Sequence, residues 1–138
     1  MATATADSAK SIRTHITPYL CVKGGERALE FYKEAFGAVE IMRVMDDQGR
    51  VSHAEFHIGE ADVNLADEHP EIGFLSPQTL GRSPVMLNVT VPNVDAFFDR
   101  AVAAGATVTR PVADQEYGFR NGGLKDPFGH DWFISTPI

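Results

Sequence analysis

Two stretches of the chain carry apolar residues at helical spacing, and strand-like apolar runs flank each of them. In the first, Leu29, Tyr32 and Phe36 recur three to four positions apart, with Ala28 and Ala35 beside them. That spacing gathers a stripe on one face of a helix. In the second, Val94, Phe97, Ala101 and Ala104 form the stripe. Asn93 suits its N-cap and Asp95 its first turn, because an amide oxygen there accepts a free backbone N–H and a negative charge meets the positive end of the helix. Gly37 and Gly105 follow the two stripes and stop each helix by taking a left-handed conformation that a Cβ would oppose.

Before the helices lie "ITPYLCV" (16–22) and "VMLNVTV" (85–91). After the first helix, "AVEIMRVMDDQGRVSHAEFHIG" alternates with period two and predicts a hairpin turning at Asp46, Asp47, Gln48 and Gly49, with "ADVNLAD" as a third strand. After the second come "ATVTRP", a polar stretch to Gly123, and "DWFIST". The order strand, helix, three strands therefore occurs twice, and "AFGA" at 35–38 returns as "AAGA" at 103–106, a faint internal repeat. The pattern predicts an α+β domain over 15–138, made of two βαβββ modules at about 15–67 and 85–136. A linker over 68–84 joins them, and a loose polar tail covers 1–14. A connection of that length without predicted structure is often functional.

Alternation also assigns faces, since successive strand side chains point to opposite sides of a sheet. Ala54, Phe56 and Ile58 should meet the first helix, which turns His53, Glu55 and His57 the other way. Val63 and Leu65 pack, leaving Asp62, Asn64 and Ala66. In the first strand Ile16, Pro18, Leu20 and Val22 pack, leaving His15, Thr17, Tyr19 and Cys21. In 85–91, Val85, Leu87, Val89 and Val91 pack, leaving Met86, Asn88 and Thr90. Asp131, Phe133 and Ser135 share one face of the last strand.

Charge narrows the partners. Twelve Lys and Arg stand against 19 Asp and Glu, for a net charge of −7; phosphate backbones repel such a surface, so nucleic acid is not expected as a partner. No apolar run reaches the ~20 residues of a membrane-spanning helix, and no membrane partner is expected. Cys21 is the single cysteine, which rules out an intramolecular disulfide and fits a reducing compartment. With a small, polar start lacking an apolar signal core, a cytoplasmic location is expected. No glycine-rich phosphate loop, nucleophile elbow or zinc-type Cys/His spacing is present.

The repeat, together with "PYLCVKGGERALEFYKEAFGA", "SHAEFHIGEADVNLADE" and "DQEYGFRNGGLKDPFGHDWFIST", resembles the glyoxalase/bleomycin-resistance, or vicinal oxygen chelate, superfamily, and its PhnB-like branch in particular. The resemblance implies paired βαβββ modules forming an open, barrel-like cleft, often in a homodimer. It also implies a divalent cation held by His and Glu on the first and last strands of each module. By position those places are Thr17, Asn64, Met86 and Phe133. Two offer neutral oxygens, one a soft thioether and one nothing, so a hard cation finds neither carboxylate nor imidazole to offset its dehydration. The same alternation turns all four toward the cleft, where they are expected to line a common hollow as ligand contacts.

The leading expectation is thus a small-molecule-binding protein without the family metal, taking a planar or amphipathic compound on Thr17, Tyr19, Asn64, Met86, Asn88, Tyr117, Arg120 and Phe133. Tyr117 and Arg120, in "EYGFRNGG", could clamp an anionic or planar ligand, or Arg120 could instead pair with Asp114 or Glu116. The alternative is a metal-dependent lyase, isomerase or dioxygenase whose divalent metal sits at a displaced site around His53, Glu55 and His15, with His57 nearby. A third reading makes His53 or Glu55 a base without any metal. His69 reads as a loop residue, His130 as part of a turn, Cys21 as a small buried side chain, and Trp132 as packed on a helix or at a dimer seam.

Overall fold

In the computed structural model, which describes residues 12–138, each module folds into its own four-stranded sheet with one crossing helix. The first module contains β1 (Tyr19–Val22), α1 (Gly25–Phe36), β2 (Val39–Met45), β3 (Val51–Ile58) and β4 (Ala61–Asp67). A connection bearing a short helix, α2 (Pro77–Leu80), leads to the second. This comprises β5 (Met86–Thr90), α3 (Val94–Ala104), β6 (Thr107–Asp114), β7 (Phe119–Lys125) and β8 (Asp131–Pro137). The strand orders, β1-β4-β3-β2 and β5-β8-β7-β6, are the same in both. β1–β4 and β5–β8 run parallel and the other neighbours antiparallel. The sheets do not close into a barrel. This is the α+β architecture of two βαβββ units that the pattern predicts; of the tail expected over 1–14, residues 1–11 lie outside the described residues.

The start of α1 is fixed by a carboxylate from the far end of its module. Asp67 Oδ1 accepts the Gly24 and Gly25 N–H groups at 2.8 Å each, and Oδ2 accepts the Val51 N–H at 2.7 Å. A Cβ on Gly25 would lie 2.8 Å from both Asp67 Oδ2 and Val51 Cβ, so only glycine lets the helix begin this close to the sheet. Asn93 caps α3 as expected, its Oδ1 accepting the Ala96 N–H at 3.2 Å.

The helix faces of both sheets meet in one core. Tyr32 of α1 stacks on Phe56 of β3 at 5.5 Å between ring centroids, and Phe36 stacks on Phe97 of α3 at 5.3 Å. Trp132 of β8 lies 4.8 Å from Phe36, which places it on the helix side. At the centre is Asp126, 3% exposed. Its Oδ1 accepts the backbone N–H groups of Phe128 and His130 at 2.8 and 3.0 Å. Its Oδ2 accepts the Tyr32 hydroxyl at 2.5 Å and the Trp132 Nε1–H at 2.8 Å. Three further bonds tie the modules. His130 Nε2 donates to the Cys21 carbonyl at 2.8 Å, and Arg100 of α3 donates to the Glu34 and Lys33 carbonyls at the end of α1.

Four expectations change. The first strand starts at Tyr19 rather than Ile16, because Pro18 has no N–H to give the ladder. Ile16 is consequently 92% exposed, and Val85, just before β5, is 61% exposed. The polar stretch ending at Gly123 is a regular strand, β7, between β6 and β8. Its hydropathy is masked by glycines demanded by packing: a Cβ on Gly122 would come 2.7 Å from Phe98, and one on Gly123 2.6 Å from Thr109 Oγ1. The linker also has structure of its own. It carries a 3₁₀ turn at Pro70–Ile72, a bridge between His69 and Phe74, and α2, whose Ser76 cap accepts the Thr79 N–H. Gln78 donates to the Pro127 carbonyl at 3.1 Å, and Phe74 meets Tyr19 edge-on at 5.8 Å.

Replacing Asp126 with Ala strands four buried donors. We expect unfolding free energy in urea to fall by about 3 kcal/mol or more, with Asp126→Asn intermediate because one acceptor oxygen survives.

Candidate functional site

Since both sheets turn their helix faces to the shared core, their other faces look outward, and the alternation places the candidate residues there. On the first sheet the register aligns Tyr19 with Asn64, Asn64 with Glu55 and Glu55 with Met42, a row crossing all four strands on the open face. Ala54, Phe56 and Ile58 are buried in the core, as the parity predicts. Thr17, Asn64 and Glu55 line a cavity of about 270 Å³ together with Ile41, Phe56, His57 and Asp62.

Beside this cavity His53 sits in a chain of hydrogen bonds. Tyr19 Oη lies 2.5 Å from His53 Nδ1, and His53 Nε2 lies 2.9 Å from Glu55 Oε2. A carboxylate can only accept, so Nε2 carries a hydrogen. In the neutral ring Nδ1 is then the acceptor and the Tyr19 hydroxyl donates. Burial, and then the charge of Glu55, raise the Tyr19 phenol above its ordinary value, which keeps that hydroxyl protonated. His57, expected near a displaced metal, instead pairs with Asp62 at 2.8 Å across the β3–β4 turn. His15 is exposed and bonds the Arg13 carbonyl. Among the described residues no three His, Cys, Asp or Glu side chains are grouped to hold a metal ion, and both ring nitrogens of His53 are already engaged.

The open face of the second sheet carries Met86, Asn88 and Phe133. Asn88 aligns with Phe133, and Phe133 with Gly123. Ser135 Oγ donates to Asn88 Oδ1 at 2.9 Å, and Asn121 Nδ2 donates to the Tyr117 hydroxyl at 3.0 Å. Arg120 points the other way. Its guanidinium holds Asp95 of α3 through Nε and Nη2 at 3.0 Å, and Asp114 through Nη1 at 3.0 Å. It therefore pairs as one of its two readings anticipated, on the helix side, and forms no clamp with Tyr117. Met86 and Phe133 do not line the cavity that holds Thr17 and Asn64; within one chain the four positions form two separate surfaces, not a common hollow. Asn121 escapes the sequence analysis because its polar stretch carries no apolar alternation to assign a face; its alignment with Ser135 reveals that face.

A larger, mainly apolar groove of about 1310 Å³ runs between the modules along the β5 edge, with Ile16, Leu87, Val89, Phe97 and Trp132 among its walls. Of the candidate residues Asn88 and His15 reach it. We place the candidate site on the sheet faces, where hydrogen-bonding groups converge. The family's metal positions do not fit a cation, because Thr17, Asn64, Met86 and Phe133 offer no anionic or imidazole donor.

This geometry coincides with a known family. The model of the Glyoxalase/Bleomycin resistance protein/Dioxygenase superfamily matches residues 13–134, and the chain belongs to that superfamily. An uncharacterised protein of Mycobacterium bovis is 39% identical over 131 residues, covering 93% of this chain and 86% of its own. Among solved structures, TioX from Micromonospora sp. ML1 is similar with a TM-score of 0.70 at 25% identity, over 91% of this chain and 97% of its own. The PhnB protein from Bacillus cereus is similar with a TM-score of 0.67 at 22% identity, over 89% and 99%. Among the described residues no helix is long and apolar enough to cross a membrane.

Cys21 is buried on β1, and burial, with Glu68 and Asp67 nearby, pushes its thiol from 9.0 up to about 12. Burial, then the charge and hydrogen bond of Asp126, likewise raise the Tyr32 phenol well above 10.0. Both folded groups hold protons that the unfolded chain releases, so their stabilisation is complete below pH 9 and declines as pH rises toward 12. Denaturation midpoints should be flat from pH 7 to 9 and then fall. In Cys21→Ala the fall should begin later, near the ordinary tyrosine value.

Proposed function

We propose that the protein binds a small molecule without the family's metal, sequestering a planar or amphipathic compound in the manner that the bleomycin-resistance part of the family's description suggests. The observation that carries this reading is the composition of the four chelating positions. A hydroxyl, an amide, a thioether and an aromatic ring replace the ionic donors, while Tyr19 beside Asn64 and Asn88 beside Phe133 add stacking and hydrogen-bonding groups. Such a surface grips a flat ligand and leaves a hydrated cation in water. A cytoplasmic location accords with the single, buried thiol.

We further propose that the working form is a homodimer, because each chain alone carries only half-sites. β1, β2, β5 and β6 are all sheet edges, and on β2 Val39, Ile41, Met42, Val44 and Met45 are each at least 38% exposed. An apolar edge strand of that length invites a partner. A second copy would cover it and bring further sheet surface to the cleft.

The Tyr19–His53–Glu55 chain favours a second reading, acid–base catalysis without a metal. Glu55 orients His53, and His53 receives the Tyr19 proton when the phenol takes one from a substrate. In this case His53→Gln would abolish turnover while leaving ligand affinity nearly unchanged.

Two measurements check the first reading. In NMR titrations with small aromatic compounds, shifts should cluster on residues 17, 64, 86 and 133, and added Mn, Ni or Zn should leave the melting temperature unchanged; shifts confined elsewhere, or metal stabilisation, refute it. By light scattering at micromolar concentration the protein should have a dimer mass, and Val44→Glu should yield a folded monomer. A monomeric wild type refutes the dimer.

A further inference from the structure

Asn121 has a feature that packing does not explain. It is 4% exposed, yet its Oδ1 has no hydrogen-bond partner, the only buried side-chain polar atom among the described residues so placed. A buried acceptor without a donor is costly, and a leucine would fill the same volume without that cost. The amide lies on the open face of the second sheet, opposite Ser135 and two positions from Gly123. Because Gly123 has no side chain, the Phe133 ring sits low against β7, where a Cβ on Gly123 would lie 3.3 Å from it. An unsatisfied amide and an aromatic ring are thus neighbours on one surface. The amide's one partner is the hydroxyl of Tyr117, itself 63% exposed on the turn before β7.

We propose that Asn121 is the specificity-determining anchor of the ligand site, and that the ligand is a planar ring bearing an amide edge, a carboxamide or a lactam. The inference rests on the reading of the open faces as a ligand surface. An amide edge presents one N–H donor beside one carbonyl acceptor, the complement of an asparagine side chain. The match is indifferent to which way round the Asn121 amide lies, since either orientation offers one donor and one acceptor. The ring of such a ligand stacks on Phe133, and Tyr117 turns aside to release the amide as the ligand enters. A carboxylate is disfavoured, because it brings two acceptors to an edge that needs a donor.

The test uses benzamide, benzoate and N,N-dimethylbenzamide in ¹H–¹⁵N NMR titrations of the full chain. We expect benzamide to shift the Asn121 side-chain NH₂ signals and the backbone signal of Phe133. Benzoate and N,N-dimethylbenzamide should bind at least about tenfold more weakly, the worth of one lost hydrogen bond and one newly unsatisfied group. Asn121→Asp, which keeps the shape and loses the donor, should weaken benzamide by a similar factor with an otherwise unchanged spectrum; Asn121→Leu should do the same and melt no lower than wild type. If benzamide shifts Phe133 and Asn88 equally well in Asn121→Asp, the amide anchor is wrong and the ligand surface stands. If none of the three compounds shifts either open face, the ligand surface itself is wrong.

Discussion

A buried carboxylate with four donors sets the constraint from which the rest of this structure follows. Asp126 draws two donors from its own turn, one from the last strand and one from the helix of the other module. A charge taken out of water must have its lone pairs filled, so the turn, β8 and α1 can be correct only together. The Tyr32 hydroxyl thereby fixes how far α1 slides toward the second sheet, and the aromatic cluster of Phe36, Phe97 and Trp132 closes around that position. The bonds from His130 to Cys21 and from Arg100 to the end of α1 hold the same arrangement at two other points. The modules are joined by geometry that apolar contact alone would leave free to slip.

With the cohesive chemistry committed to the helix side, the outer faces are free to vary. Thr17 and Asn64 are half-buried, and Met86 is 51% exposed; none contributes to the core. A scaffold arranged in this way can exchange chelating side chains for neutral or aromatic ones without disturbing its packing. Substitution at those positions therefore leaves the packing intact, whereas substitution at Asp67, Gly25 or Asp126 would disturb bonds and contacts that folding needs. The first sheet keeps a hydrogen-bonded chain on Tyr19, His53 and Glu55, and the second keeps amides, a hydroxyl and rings, so the two open faces differ in chemistry.

Much of this was legible in the residue pattern. Period-two alternation set His53, Glu55 and Asn64 on one face and buried Ala54, Phe56 and Leu65 on the other, because a half-buried sheet admits only one parity. Glycine stops and helical stripes gave α1 and α3. The pattern failed where a local rule competed with a longer-range one. Gly122 and Gly123 gave β7 the look of a loop, since their small size serves Phe98, Thr109 and Phe133 on other strands and helices. Ile16 and Val85 lie beyond the paired part of their strands, where an apolar residue has nothing to pack on. Arg120 had two readings, and the placement of Asp95 on a neighbouring helix decided between them.

By itself, the sequence determined the two long helices, the repeated βαβββ order and the face on which most strand residues lie, because these depend on neighbours within a few positions along the chain. The tertiary structure alone decided how the two modules meet, that the chelating positions fall on two surfaces instead of one, and that Asn121 is left with an unfilled acceptor. Those outcomes depend on contacts between residues far apart in the chain, such as Tyr32 with Asp126, and no local periodicity records which distant donor will reach a buried oxygen.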